Sequence, residues 1–262
     1  MTSKLIPQHP DDVMVIRDLV PGVTTLSVPF LRFGRIKFGG RATIVKMQSG
    51  SLAVFSPVAL TPTSPTSPRP TWNTTSSSQP GRPPSPPPTS SRPKGWPRKR
   101  AKINETDKEV TIVPINTTFT AKNKAAIKVD AEFDAEFEYE FVDAHPNKEL
   151  VFCHKPSRTL IEADLLFTLP ATEQYSRTGE NAATGLATKC FAGIQNTRGE
   201  ALGQKRMLWY VFSKADRPGF NDSMRRIDAW RFENLVPCHG DSIVGDGKRV
   251  FLKRLCNGIW RG

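Results

Sequence analysis

Two stretches of this chain place an ionisable side chain directly after a short apolar run. Thr159-Leu160-Ile161-Glu162-Ala163-Asp164 ends on a carboxylate, and Leu235-Val236-Pro237-Cys238-His239-Gly240-Asp241 ends on an imidazole, with Gly240 permitting a sharp exit. In α/β sheets ligands gather where strands end, so Asp164 and His239 are expected to meet over one sheet edge. A carboxylate oxygen with a neutral imidazole binds zinc, manganese or iron; in the plainer alternative Asp164 caps the next segment and His239 satisfies a turn. His154, in Phe152-Cys153-His154-Lys155-Pro156-Ser157, is a candidate third ligand, or a partner that orients Asp164, or a structural histidine. His145 precedes a proline in a turn and is expected to face solvent, and His9 lies in an N-terminal tail. Cys153 and Cys238 have no evident acid–base partner and read as small buried fillers.

The elements that must position these residues form two blocks. Residues 11 to 59 read as short strands at 13–16, 24–28, 42–46 and 52–55, with a hairpin turn at Gln48-Ser49-Gly50. After the break come strands at 109–113, 137–142, 150–152, 159–161 and 234–236. Helices are expected near 204–212, from an Asn221 or Asp222 cap to about 232, and at 248–256. The hairpin through Lys155-Pro156-Ser157-Arg158 places His154 at its tip. Strands followed by strands interleaved with helices predict a layered α/β domain. The glycines at 34, 39 and 40 are not followed by a helical pattern, so they mark turns and not a phosphate loop.

Between the blocks, residues 61 to 102 contain no Val, Ile, Leu, Met, Phe or Tyr, and eleven of the 23 prolines fall between Pro65 and Pro97. Such a segment cannot offset chain entropy by burial and is expected to be disordered. The expected organisation is a tail over 1–10, a β part over 11–62, this Pro/Ser/Arg-rich segment over 63–102, and an α/β part of the same domain over 103–262. The chain carries a net charge of +12, and eight of its Lys and Arg residues lie within 63–104, where there is no Asp or Glu. The positive charge thus belongs to one segment and not to a folded face, which argues against nucleic acid as the partner. No run approaches the roughly 18–20 apolar residues of a membrane span, and no secretory signal is visible. Four cysteines without CxxC spacing suit reduced thiols in an intracellular, cytoplasmic protein.

Several motifs resemble a family. Val20-Pro21-Gly22-Val23-Thr24-Thr25, Phe33-Gly34-Arg35, Gly40-Arg41-Ala42-Thr43, Phe55-Ser56-Pro57-Val58, the run from His154 to Phe167, and Pro237-Cys238-His239-Gly240-Asp241 are similar to an uncharacterised domain-of-unknown-function family widespread in fungi. That family looks like a branch of the metallo-β-lactamase fold, an αββα sandwich, and the similarity covers residues 11–62 and about 103–257. The resemblance implies metal-dependent hydrolysis of a small-molecule substrate. Asp164 and His239 would then hold a divalent metal, and His154 would match the family's histidine-containing hairpin. The family's early His-His pair, expected between Pro62 and Lys99, is absent, so at most two or three protein ligands remain and both metal affinity and activity should fall steeply. Read one base earlier, the codons for Trp72 to Ser78 permit Leu-Glu-His-His followed by three apolar residues, and those for Pro93 to Pro97 permit Glu-Gly-Leu-Ala. Residues 63–98 are therefore expected to be an out-of-frame reading, against the alternative of a genuine Pro/Ser insert. A non-catalytic scaffold that keeps the fold is the competing functional reading.

Overall fold

The computed structural model describes residues 10–56, 91–93 and 117–252. The expected strand at 109–113, the end of the last helix beyond 252, His9, and most of the segment 63–102 lie outside the described residues. A one-turn helix α1 (Pro10–Val13) leads into strands β1 (Val15–Val20), β2 (Val23–Val28), β3 (Leu31–Arg32), β4 (Ile36–Lys37), β5 (Gly40–Lys46) and β6 (Leu52–Phe55). Strands β7 (Ser91–Pro93) and β8 (Thr117–Phe119) pair in parallel. Next come helix α2 (Ala131–Glu136) and strands β9 (Phe137–Val142), β10 (Glu149–His154) and β11 (Thr159–Glu162). Helices α3 (Thr172–Tyr175), α4 (Leu186–Ile194) and α5 (Leu202–Met207) follow, the last running into a π-helical turn over Leu208–Phe212. Helix α6 (Arg217–Ala229), strand β12 (Asn234–Pro237) and helix α7 (Gly247–Phe251) complete the described chain.

Two four-stranded sheets form the body, ordered β1-β2-β5-β6 and β12-β11-β10-β9. The first is wholly antiparallel; in the second only the β11–β12 pair is parallel. Side chains alternate across a strand, so the odd-numbered residues of β2 and β5 share one face. Val23 and Val45 on that face join Phe55, Phe137 and Ile161 in a core between the sheets. The even-numbered Leu26, Val28, Ala42 and Ile44 form a separate cluster with Met14 on the outer side. The largest core lies on the other face of the second sheet, where Cys153, Leu160 and Leu235 meet Leu208, Phe220, Met224, Ile227 and Phe251 from the helices. The chain is thus the α/β sandwich of two sheets and flanking helices that its motifs predict.

Differences from the expected elements are local. Helix α6 starts at Arg217 and not near 221, because Asp216 caps it by accepting from the Gly219 N–H at 3.0 Å and Pro218 occupies its first turn. The helix expected over 204–212 changes to π geometry at Leu208, which leaves Phe212 partly buried between two cores. Helices α2, α3 and α4 have no counterpart in the expected pattern, being too short or too weakly periodic to register. Cys153, Cys190 and Cys238 are free thiols. Among the described residues, no helix is long and apolar enough to cross a membrane.

Leu160 is fully buried at the centre of the second sheet, whereas Leu186 at the start of α4 is 81% exposed. Leu160→Ala should lower unfolding stability by about 2–5 kcal/mol, and Leu186→Ala should stay within about 0.5 kcal/mol of the parent, both read by urea denaturation.

Candidate functional site

The parallel register of β11 and β12 pairs Glu162 with Pro237, and the Cys238 N–H donates to the Glu162 carbonyl at 3.0 Å. Two residues further along each chain stand Asp164 and His239. Equal offsets from a parallel pair bring them opposite each other, with Asp164 Oδ1 3.4 Å from His239 Nε2. The two residues singled out by their strand-end positions therefore do meet at one sheet edge.

Each is held from behind. His239 Nδ1 lies 2.6 Å from the Gly39 carbonyl, which can only accept, so the proton sits on Nδ1 and Nε2 faces the carboxylate. The ring stacks on Phe167 at 5.6 Å and meets Phe38 edge-on. Asp164 Oδ2 accepts from the Asn147 side-chain amide at 2.6 Å. Burial alone would raise the Asp164 pKa, but hydrogen bonding and charge from His239, the Asn147 bond and the nearby His145 outweigh it and hold the carboxyl below its usual range.

His145 departs from expectation, since it is fully buried and not solvent-facing. Phe212 from the π-helical turn packs against its ring at 4.6 Å, which closes the turn off from water. Its Nδ1 accepts from the Asn147 backbone N–H at 3.2 Å, so the neutral ring carries its proton on Nε2, a buried donor without a hydrogen-bond partner. Burial pushes its pKa down to about 4, against the pull of Asp164. The clue available in the sequence was its place after the alternating strand 137–142, which directs the chain back under the helical layer.

His154 is not brought to this edge. It pairs with Thr159 at the opposite end of the β10–β11 hairpin, five residues and about 16 Å of strand away from Asp164. Its ring nitrogens face Ser157 and Glu136. The expectation of His154 as a third ligand, or as a partner orienting Asp164, fails because β11 runs away from the hairpin tip before it reaches Ala163.

Two further carboxyls line the edge. The Glu149 Oε1 accepts from the Ala163 N–H at 2.7 Å, and burial followed by the charge of Asp164 pushes Glu149 up to about 8. Glu162 Oε2 accepts from the Leu165 and Leu166 N–H groups, and burial, then Glu149, raises its pKa well above the usual value. Burial thus holds both glutamates above their usual range, while Asp164 is held below its own.

The His239 turn is fixed by Arg41, whose side chain is entirely buried. Arg41 Nη1 donates to the Pro237 and Gly240 carbonyls, each at 2.7 Å, Nε donates to Ser27 Oγ at 3.0 Å, and Nη2 pairs with Glu173 at 3.3 Å. Gln174 adds a donor to the Gly240 carbonyl at 2.7 Å. Gly240 itself has φ +93°, and a Cβ there would fall 2.5 Å from the Thr168 backbone, so only glycine fits. Cys238, half-buried beside Arg41, places its thiol 3.5 Å from the Arg41 carbonyl.

Asp164 and His239 thus offer one oxygen and one nitrogen donor, while His145 presents a proton and not a lone pair. Among the described residues, no group of three or more His, Cys, Asp or Glu side chains is arranged to hold a metal ion. The donor set does not fit a complete zinc or iron centre.

No protein-family model matches the chain, and no curated protein matches it. Among solved structures it is similar to a mutant flavo di-iron protein from Thermotoga maritima, with 10% identity and a TM-score of 0.44 over 92% of this chain and 62% of that one. It is also similar to a metallo-β-lactamase from Pontibacter korlensis, with 11% identity and a TM-score of 0.40 over 93% and 99% of the two chains. A metallo-β-lactamase from Hirschia baltica gives 8%, 0.37, 92% and 95%. The chain spans about three fifths of the length of the flavo di-iron protein. At these values the likenesses bring no residue role and no ligand to this chain.

Arg41→Met should cost about 1–3 kcal/mol in chemical denaturation, since the buried Pro237 carbonyl would lose its side-chain donor while Gln174 still serves Gly240 and Arg17 and Ser27 still serve Glu173. In the variant the His239 ring should lose its ring-current shift from Phe167, read by proton NMR; an unshifted His239 signal would show that the turn is held by other contacts.

Proposed function

We propose that this chain is a metallo-β-lactamase-like protein related to metal-dependent hydrolases, in which the metal site is incomplete and hydrolysis is weak or lost. The observation that carries the reading is the Asp164–His239 pair at the ends of two parallel strands, 3.4 Å apart. A carboxylate and an imidazole at that edge are what the family resemblance implies for a metal site, and they are the two donors that the register brings together. The remaining histidines do not add to them. Among the described residues, His145 presents its proton and His154 sits at the far end of the hairpin. The missing early His-His pair accounts for the shortfall, and an out-of-frame reading of residues 63–98 accounts for the missing pair. The metal would be a divalent ion, zinc or else iron or manganese, and the substrate a small molecule.

A second reading, a non-catalytic protein that keeps the fold as a scaffold, is favoured by the same geometry. The Asp164–His239 contact joins the ends of two strands directly, without any metal.

The test is metal content after zinc loading and gel filtration, together with sequencing of the transcript across the codons for Leu60 to Ile103. The chain as written should retain well under one zinc per molecule, and Asp164→Asn should leave that content unchanged. A frame-corrected chain with an early His-His pair should bind zinc stoichiometrically and lose it on Asp164→Asn. Stoichiometric zinc in the chain as written, lost with Asp164→Asn, would overturn the incomplete site; a frame-corrected chain without zinc would leave the scaffold reading.

A further inference from the structure

At the other end of the second sheet, away from Asp164 and His239, three side chains from three elements form a hydrogen-bonded line. Ser157, in the turn after β10, places its Oγ 2.7 Å from His154 Nδ1. His154 Nε2 lies 3.2 Å from Glu136 Oε2 at the end of α2. Glu136 is in turn fixed by its other oxygen, which accepts from the Gln48 N–H at 2.8 Å, and by its carbonyl, which accepts from the Lys155 N–H at 2.9 Å. The His154 ring rests against Phe137, with centroids 5.0 Å apart.

The order of these groups sets their protons. Glu136 is the charged group hydrogen-bonded to the ring among the described residues, and as a carboxylate it takes the Nε2–H. Nδ1 then keeps its lone pair and faces the Ser157 hydroxyl. The carboxylate and the imidazole are buried, whereas Ser157 is half-exposed. A second acceptor, Thr159 Oγ1, takes the Ser157 proton at 2.9 Å, its own proton going to the Ser157 carbonyl, so a rotation of the Ser157 O–H turns that proton from Thr159 to Nδ1. Burial, opposed by the hydrogen bond to Glu136, holds the His154 pKa below its ordinary value, so the ring is an unprotonated base at neutral pH. A buried carboxylate that orients a buried imidazole against an accessible hydroxyl is the arrangement that activates a serine nucleophile.

We propose that Ser157 is a nucleophile with His154 as its general base and Glu136 as the positioning residue, acting on small activated acyl esters that reach the surface turn. Ser157 Oγ would form a bond to the acyl carbon as the ester C–O bond breaks. The hydroxyl proton passes to His154 Nδ1 and on to the departing alkoxide, and water later hydrolyses the acyl-serine by the reverse proton path. The turn is flanked by Lys155, whose exposed ammonium donates to the Asp134 carbonyl, and by Arg158, which is ion-paired with Glu233, so no charge on the ester is specified.

The probe is a fluorophosphonate, whose phosphorus stands in for the acyl carbon and whose fluoride leaves. The native full chain should gain one phosphonyl group, mapped by peptide mass spectrometry to Ser157, and Ser157→Ala should gain none. His154→Gln should slow labelling by about a hundredfold or more, whereas Leu186→Ala on the exposed face of α4 should leave it unchanged. The labelling rate should rise with pH as His154 loses its proton, and Glu136→Gln should move that midpoint to lower pH, which a merely structural contact would not do. Circular dichroism of each variant separates lost labelling from lost folding. No adduct on Ser157 of the native chain, or the same rate in urea-denatured chain, would overturn the proposal and leave the three residues as a structural latch.

Discussion

A single buried cation holds the two halves of this protein in register. Arg41 occupies an inward-facing position of β5 where its neighbours on the same face, Thr43 and Val45, are small or apolar. Desolvation pulls its pKa down, yet Glu173 opposes the loss, and four acceptors surround the guanidinium. A planar fork with five donors can bridge a serine, a carboxylate and two carbonyls at once; a lysine in the same place could not. The strands of the first sheet thus reach across the core and clasp the turn that carries His239. Everything at the site edge, from the His239 tautomer to the approach of Asp164, follows from where that turn is held.

The site edge also shows how burial sorts identical groups. Glu149, Glu162 and Asp164 are neighbours with the same functional group, yet only Asp164 is held below its usual range. Each glutamate accepts N–H bonds from the chain around Ala163 to Leu166, but desolvation is the larger influence on both. Asp164 has His239 and Asn147 on either side, and their combined pull reverses the effect of burial. Raising two of three neighbouring carboxyls while lowering the third lessens the repulsion that three anions would create.

Much of the framework was legible because its elements are strongly patterned. The alternation in 137–142 and the β-rich runs of 24–28 and 42–46 mark strands by their side chains alone, and Gly50 marks a turn. Asp164 and His239 were legible as strand-end residues, because an apolar run that stops at an ionisable group is a local signal. What the sequence could not show was register. A hairpin and a strand-end both put a histidine beside apolar residues, so His154 and His239 looked alike until the antiparallel β10–β11 pair carried one of them to the opposite end. His145 looked exposed because Asp143 and Pro146 surround it, while the π turn that covers it belongs to residues more than sixty positions later. Arg41 appeared only within the Gly40-Arg41-Ala42-Thr43 motif, and nothing local marked its burial, since a basic residue in a strand ordinarily reads as a solvent-facing one.

The parallel pairing of β11 with β12 has a consequence for how the protein comes to be made. Every neighbour of β11 except β12 is close along the chain, but β12 arrives about seventy-five residues later, and the Arg41 contacts to Pro237 and Gly240 span nearly two hundred. Contacts that close such long loops are slow to form and come after local hairpins. On a growing chain the hairpins of both sheets can assemble while the last strand is still being synthesised. During that interval β11 presents a bare edge and the Arg41 guanidinium has only Ser27 and Glu173 for company. The site edge is therefore among the late parts of the described chain to be assembled, and the open edge of β11 lasts until the strand that leads into His239 has been added.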